Sequence, residues 1–252
     1  MLKAKTALPA FLFAACLYSC TAADKKETPG TDTVAVQEKH AFVSDVNYAC
    51  TINNDSTPYH GTLKASVCWN DGKGKNVLVI AERPQYFWRD ENKAMGKLAP
   101  DDESEEVAEL FAWHYIYEAK ENKWKALWTL NDFIFGCCDV NMEYLPGTLQ
   151  ITDLDTNGVA ESIFTYSTSA GTGPIDNPWD GKLMLHVNAE KYSLKGPIGH
   201  IASSDQENIP PQPLFSENFV SADPALKKHA LEMWNKSTAV RDSIYQSKFG
   251  TQ

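Results

Sequence analysis

Asp153, Asp155, Asn157 and Glu161 occupy positions one, three, five and nine of the stretch DLDTNGVAE, and Gly158 follows the third of them. Side-chain oxygens at alternate positions of a tight loop can turn inward together, and hard cations such as calcium take six to eight oxygens. The glycine admits a left-handed turn, and the residue after it, Val159, offers a backbone carbonyl. Asp153, Asp155, Asn157, Val159 and Glu161 are therefore the candidate ligands of a structural calcium ion. The competing account is a hairpin in which Asn157-Gly158 simply makes the turn, with no ion.

An EF-hand would need a bidentate acid at position twelve and a helix on each side. Position twelve here is Phe164, and the flanks Leu149 to Thr152 and Ser162 to Ser167 have the composition of strands. The pattern more closely resembles the strand-loop-strand sites of integrin-type β-propeller blades and related bacterial surface repeats, although it occurs in a single copy.

Other chemistry is thin. The six histidines form no His-Glu-x-x-His pair, and the chain has no Gly-x-Ser-x-Gly elbow. Gly72-Lys73-Gly74-Lys75 lacks the spacing of a phosphate loop and reads as a turn. The acidic run Asp101 to Glu106 reads as a solvated face. Ser169 to Asp180 is a loop rich in Gly, Pro and Asn, in which Asp176, Asn177, Trp179 and Asp180 form a candidate ligand loop. No catalytic residue is assigned.

The first 19 residues carry Lys3 and Lys5, then an apolar stretch, then Leu17-Tyr18-Ser19 before Cys20. This resembles a bacterial lipoprotein signal peptide, with Cys20 as the lipid-modified residue. Acyl chains such as palmitate would then hold the chain on a membrane without a transmembrane helix. Residues 20–39 are poor in large apolar groups and read as a disordered tether. Losing the leader removes two lysines and no acid, so the formal charge of -10 becomes -12. That balance argues against nucleic acid and suits cations. The expected address is the cell envelope, lipid-anchored to the outer membrane on its periplasmic or surface face.

Cys50, Cys68, Cys137 and Cys138 remain for the folded body, in a compartment that permits disulfides. Four cysteines allow three pairings. Cys50 with Cys68 would clasp neighbouring strands but leaves Cys137 beside Cys138, so crossed pairing and free thiols stay open.

Residues 40–252 are expected to form a single domain. Ala41 to Ile52, Thr62 to Trp69 and Asn76 to Glu82 read as strands, the last apolar enough to be buried on both faces. Phe111, Trp113, Tyr115 and Tyr117 alternate, as do Trp124, Ala126, Trp128 and Leu130. A turn at 119–122 would set Tyr117 opposite Trp124 and Trp113 opposite Trp128, an aromatic ladder read as core. Arg83 to Ala99 and Gly196 to Pro213 read as irregular, and Lys182 to Lys195 as a hairpin about Asn188-Ala189. A helix is expected over 223–247, capped by Asp223, with Leu226, Ala230, Met233 and Trp234 on its packing face. The fold class is mainly β: one antiparallel body, as a sandwich, open barrel or propeller-like sheet, with one C-terminal α-helix.

The segments WNDG, NVLVIAE, AWHYIY, KWKALWTLNDF, LQITDLDTNGVAESIFTYS and KLMLHVNAEKYSLKG, between about Lys64 and Gly196, resemble a family of exported Bacteroidetes proteins, some labelled surface polysaccharide biosynthesis proteins. The resemblance implies an envelope address and a link to surface glycans, and it carries over no catalytic residue. Taken together, a lipid-anchored envelope protein with a calcium loop is expected, acting as a binding or scaffolding module toward a surface glycan or envelope protein. An exported hydrolase and a purely structural protein are the alternatives.

Overall fold

Val77 to Ala81 put apolar side chains on both faces of one strand, and such a strand must be covered twice. The computed structural model, which describes residues 43–87, 106–136, 139–170, 179–199 and 212–249, shows what covers it. The leader, Cys20, the tether, residues 101–105, Cys137, Cys138, Asp176 and Asn177 lie outside the described residues. The described residues belong to one compact unit spanning Lys39–Gln252.

The first sheet has the order β1 (Ser44–Asn47), β2 (Thr62–Asp71), β3 (Gly74–Phe87), β4 (Glu106–Glu118), β5 (Lys123–Gly136). The second follows the order β11 (Leu214–Phe215), β10 (Glu190–Ile198), β9 (Trp179–Val187), β8 (Glu161–Ser169), β6 (Asn141–Tyr144), with β7 (Gln150–Thr152) also paired to β8. Every pairing is antiparallel. A 3-10 turn, Glu217–Ser221, leads into helix α1 (Pro224–Phe249). The protein is thus a mainly β body of two antiparallel sheets with a single C-terminal helix, and the two sheets stack face to face rather than forming a propeller.

Three apolar layers follow from the alternation. Leu78 and Ile80 of β3 join Val67, Trp69, Leu110, Phe164, Tyr166 and Met184 between the sheets. Val77, Val79 and Ala81 face the other way with Phe111, Trp113 and Tyr115, beneath Ile52 and Tyr59 of the segment before β2. Leu183, Leu185 and Leu194 meet the buried stripe Leu226, Ala230, Met233 and Trp234 of α1. Asp223 caps this helix as expected: its Oδ1 accepts the Ala225 N–H at 2.7 Å. Among the described residues no helix is long and apolar enough to cross a membrane.

The aromatic ladder is core, with Phe111, Trp113 and Tyr115 buried, but its register differs from the regular alternation. Tyr117 does oppose Trp124, whereas Trp128 opposes His114 and Trp113 opposes Thr129. A bulge leaves Leu127 between Ala126 and Trp128 without a partner and turns the rest of β5 over, so Trp128 and Leu130 face the second sheet. The irregular segments also hold more strand than expected. β3 continues through Pro84 to Phe87 and β10 through Pro197 to Ile198, both beyond the last residues paired by the strand on their other side. A proline that has no neighbour to donate to costs the ladder nothing there. Conversely, the first expected strand shrinks to Ser44–Asn47, because the chain after it crosses the outer face of the first sheet.

That crossing segment is held by Cys50–Cys68, a disulfide with Cα atoms 5.8 Å apart, and by the Tyr115 hydroxyl donating to Pro58 O. His60 stacks edge-on against Phe111 at 4.1 Å and Trp113 at 4.9 Å. The bond spans a sequence separation of 18. Its loss in a Cys50→Ala, Cys68→Ala variant is expected to cost about 3 kcal/mol by freeing that loop in the unfolded chain. A urea midpoint unchanged from the parent would refute this.

Polar ties also join the sheets. Asp132 Oδ2 on β5 accepts from the Tyr166 hydroxyl and from Lys182 Nζ, each at 2.6 Å. Burial pushes the Asp132 carboxyl up, but these two donors outweigh it and hold the pKa below the usual carboxylate range.

Candidate metal centre

β7 and β8 pair through Thr152 and Glu161, so residues 153–160 form the loop of a hairpin. It is longer than a two-residue turn, and both Thr156 (φ 55°) and Gly158 (φ 79°) take left-handed backbone conformations. Short Asx bonds shape it. Asp153 Oδ2 accepts the Gly158 N–H at 3.1 Å, Asp155 Oδ1 accepts the Asn157 N–H at 3.1 Å, and Asn157 Oδ1 accepts the Val159 N–H at 2.7 Å. Each bond curls the chain around its own side-chain oxygens.

The result gathers charge. One carboxylate oxygen from each of Asp153, Asp155 and Glu161 lies within 4.8 Å of the others. Two oxygens bound to one calcium at its usual distance of about 2.4 Å can stand no further apart than about 4.8 Å, and the three oxygens stay within that limit. Asn157 joins through its amide, which donates to Asp155 Oδ2 at 2.6 Å, and Val159 through its N–H on Asn157.

Glu161 is the residue that a plain turn would not need. It is fully buried at the first position of β8, and its Oε2 accepts the Leu154 N–H at 2.9 Å and the Thr152 hydroxyl at 3.0 Å. Its Oε1 has no hydrogen-bond partner, nor has the buried Asp153 Oδ1. Burial pushes the Glu161 pKa up, with the Asp155 charge adding to it, against the two hydrogen bonds. A buried carboxylate oxygen without a donor costs a few kcal/mol in the folded state unless something positive meets it.

The loop is also fixed from the opposite sheet. The Asn70 to Gly74 stretch is the β2–β3 turn, as its composition predicts, and it lies against the acidic loop. The Gly72 N–H donates to Gly158 O at 2.6 Å, and Asp71 Oδ2 accepts the Ala160 N–H at 3.2 Å and the Trp69 Nε1–H at 3.0 Å. A Cβ on Gly72 would sit 2.9 Å from Gly158 O, so this approach requires glycine. Nothing in the local pattern around Asp71 announces that contact, since its partner lies 89 residues away.

The candidate ligand loop is only partly described. Trp179 opens β9 and lies against the buried Arg241, whose guanidinium stacks 3.3 Å from the ring centroid, so the ring is a packing surface. Asp180 is exposed beside it. His114 and His186, the strand histidines, are buried between the sheets on either side of Trp128, and His186 pairs with Ser162, the residue after Glu161. No family model, curated protein or solved structure matches the chain.

Proposed function

We propose that the protein is a lipid-anchored module of the cell envelope in which a calcium ion, held by Asp153, Asp155, Asn157, Val159 and Glu161, locks the β7–β8 loop against the β2–β3 turn. The ion thereby stiffens one end of a two-sheet scaffold used for binding or support at the outer membrane. The observation that carries this reading is the fully buried Glu161 with an unpartnered oxygen beside Asp153 and Asp155. The lipoprotein-like leader before Cys20 supports the address, and the net charge of -10 supports a cation over an anionic polymer as the partner of the acidic loop.

A hydrolase would bring carboxylates together in a cleft. Among the described residues the carboxyl whose pKa burial leaves raised is Glu161, which sits in the cation loop, and the cleft that Lys64 and Lys236 line carries no Asp or Glu. A binding or scaffolding role therefore fits these features better than catalysis.

Thermal melts in excess calcium and in chelator test the proposal. A ligand that binds only the folded state at about a hundredfold over its Kd adds about 2.7 kcal/mol, a midpoint shift of roughly 5–10 °C for a chain this long. The shift should vanish in an Asp153→Asn, Asp155→Asn variant and in Glu161→Gln. A parent protein indifferent to calcium would leave the loop as a turn.

A further inference from the structure

A cleft of about 530 Å³, open to solvent, is lined by Tyr48 just after β1, by β2, by the stretch from Tyr144 to Ile151 and by Lys236 of α1. Its size is that of a small-molecule site, which typically measures about 300–1,000 Å³. Among its lining residues are Lys64 of β2 and Lys236 of α1, and none is acidic. On a chain with 33 carboxylates against 23 Lys and Arg, two lysines brought together from a strand and a helix and unaccompanied by an acid on the wall make a local departure from the overall charge.

The two lysines are not equivalent. Lys64 Nζ pairs at 2.8 Å with Glu82, a buried residue whose other oxygen accepts the Tyr144 N–H at 2.5 Å, so its charge is largely balanced from behind the wall. Lys236 Nζ donates to Gly147 O at 2.7 Å and has a carbonyl, not a carboxylate, as that partner. An ammonium carries three N–H donors, so one bond to a carbonyl leaves its charge and further donors to meet a ligand. Above Gly147 the space is clear: a Cβ there would meet nothing within 4 Å.

The remaining walls are mainly apolar. Tyr48 is 51 % exposed at the cleft, and its hydroxyl is held by the Ile151 N–H at 3.2 Å, which fixes where the ring stands. Ala65, Leu149 and Ile151 supply apolar surface and Gln150 an amide. An aromatic ring pinned at its polar tip and uncovered over its body suits the face of another ring.

The geometry points to a binding site for a small ring-shaped anion, an acidic sugar or an aromatic acid, whose carboxylate is met by Lys236 and whose ring lies against Tyr48. The cleft shares strand β7 with the cation loop, but none of the loop residues 153–160 and not Glu161 lines it. A charge-assisted N–H···O bond is worth on the order of a tenfold change in affinity.

Calorimetric titration of the full chain separates the outcomes. Methyl β-D-glucuronide and benzoate are the carboxylate probes; methyl β-D-glucoside and benzamide are their uncharged partners. At least one carboxylate should saturate the site at millimolar concentration while its uncharged partner does not, and which one binds distinguishes a sugar site from an aromatic-acid site. Lys236→Gln should weaken that probe about tenfold, Lys236→Arg should retain it, Tyr48→Ala should weaken it, and Lys228→Gln, on an exposed position of the same helix, should change nothing. An unchanged melting midpoint in Lys236→Gln shows that the loss is not unfolding. The assignment is overturned if neither carboxylate saturates, if the neutral partner binds as tightly, or if Lys236→Arg loses as much as Lys236→Gln.

Discussion

Between about pH 7.5 and pH 5 the fold is expected to lose about 4 kcal/mol of stability through two histidine rings. His114 of β4 and His186 of β9 lie between the sheets on either side of Trp128, whose ring stacks on His186 at 3.8 Å and meets His114 edge-on at 5.6 Å. His114 Nε2 is 3.0 Å from Asn76 Oδ1, while the Nδ1 atoms of both rings have no partner. Burial lowers His114 to about 4, with Asp71 pulling it back up and Lys73 pushing it further down. Burial lowers His186 to about 3, helped by His114 and Lys191.

Both shifts are downward, so the stability these rings contribute is fully present above their unfolded pKa of about 6.5. It is lost as the pH falls from there toward 4, because the unfolded chain takes up protons that the folded rings refuse. Each pH unit in that window costs about 1.4 kcal/mol per ring, hence about 2 kcal/mol per ring by pH 5. Glu161 acts in the opposite sense in chelator, since its raised pKa adds stability at low pH that is lost as the pH rises through it. A comparison with His186→Phe isolates the rings: phenylalanine keeps the stack on Trp128 and cannot titrate. Urea unfolding at the two pH values should show the variant losing about 2 kcal/mol less than the parent. Equal losses would mean that His186 is as accessible to protons in the fold as in the unfolded chain.

Much of the architecture could be read from patterns that are local in sequence. Alternation placed β4 and β5 and the turn between them at residues 119–122, and the Asn188-Ala189 turn follows from two alternating segments separated by two residues. The helix was legible for the same reason: its cap, its first-turn proline and its buried stripe are set by residues within a few turns of one another. The bulge at Leu127 was not, because an extra residue in one strand is defined by what the partner strand offers. Pro84 and Pro197 misled for a related reason. A proline argues against a strand only where a neighbour needs its N–H, and edge position is a property of the assembled sheet.

The candidate site divides in the same way. The acidic loop is one hairpin, so spacing alone brought Asp153, Asp155 and Glu161 together. That Glu161 is buried with a free oxygen depends on β8 lying inside the second sheet, which no spacing reveals. The Lys64–Lys236 cleft joins a strand near one end of the chain to the helix at the other, and neither lysine stands in a motif. Sites assembled by tertiary packing from isolated residues leave no periodic trace for a single sequence to show.

Trp69→Ala is expected to destabilise the protein by about 3–5 kcal/mol, the cost of emptying a buried indole site. Trp69 is 2 % exposed between the sheets and lies 4.9 Å from the His114 ring. Its role reaches beyond volume, because its Nε1–H holds the same Asp71 oxygen that accepts the Ala160 N–H at the end of the acidic loop. Trp69→Phe keeps most of the apolar contact and removes that donor, at a cost of about 1–3 kcal/mol including the smaller ring. With the turn less firmly held, the loop loses part of its preorganisation, and the calcium-dependent shift in melting midpoint should shrink in Trp69→Phe relative to the parent. A fall in stability with an undiminished calcium response would mean that the loop is held well enough by the Gly72 bond to Gly158, leaving Asp71 a purely structural partner of Trp69.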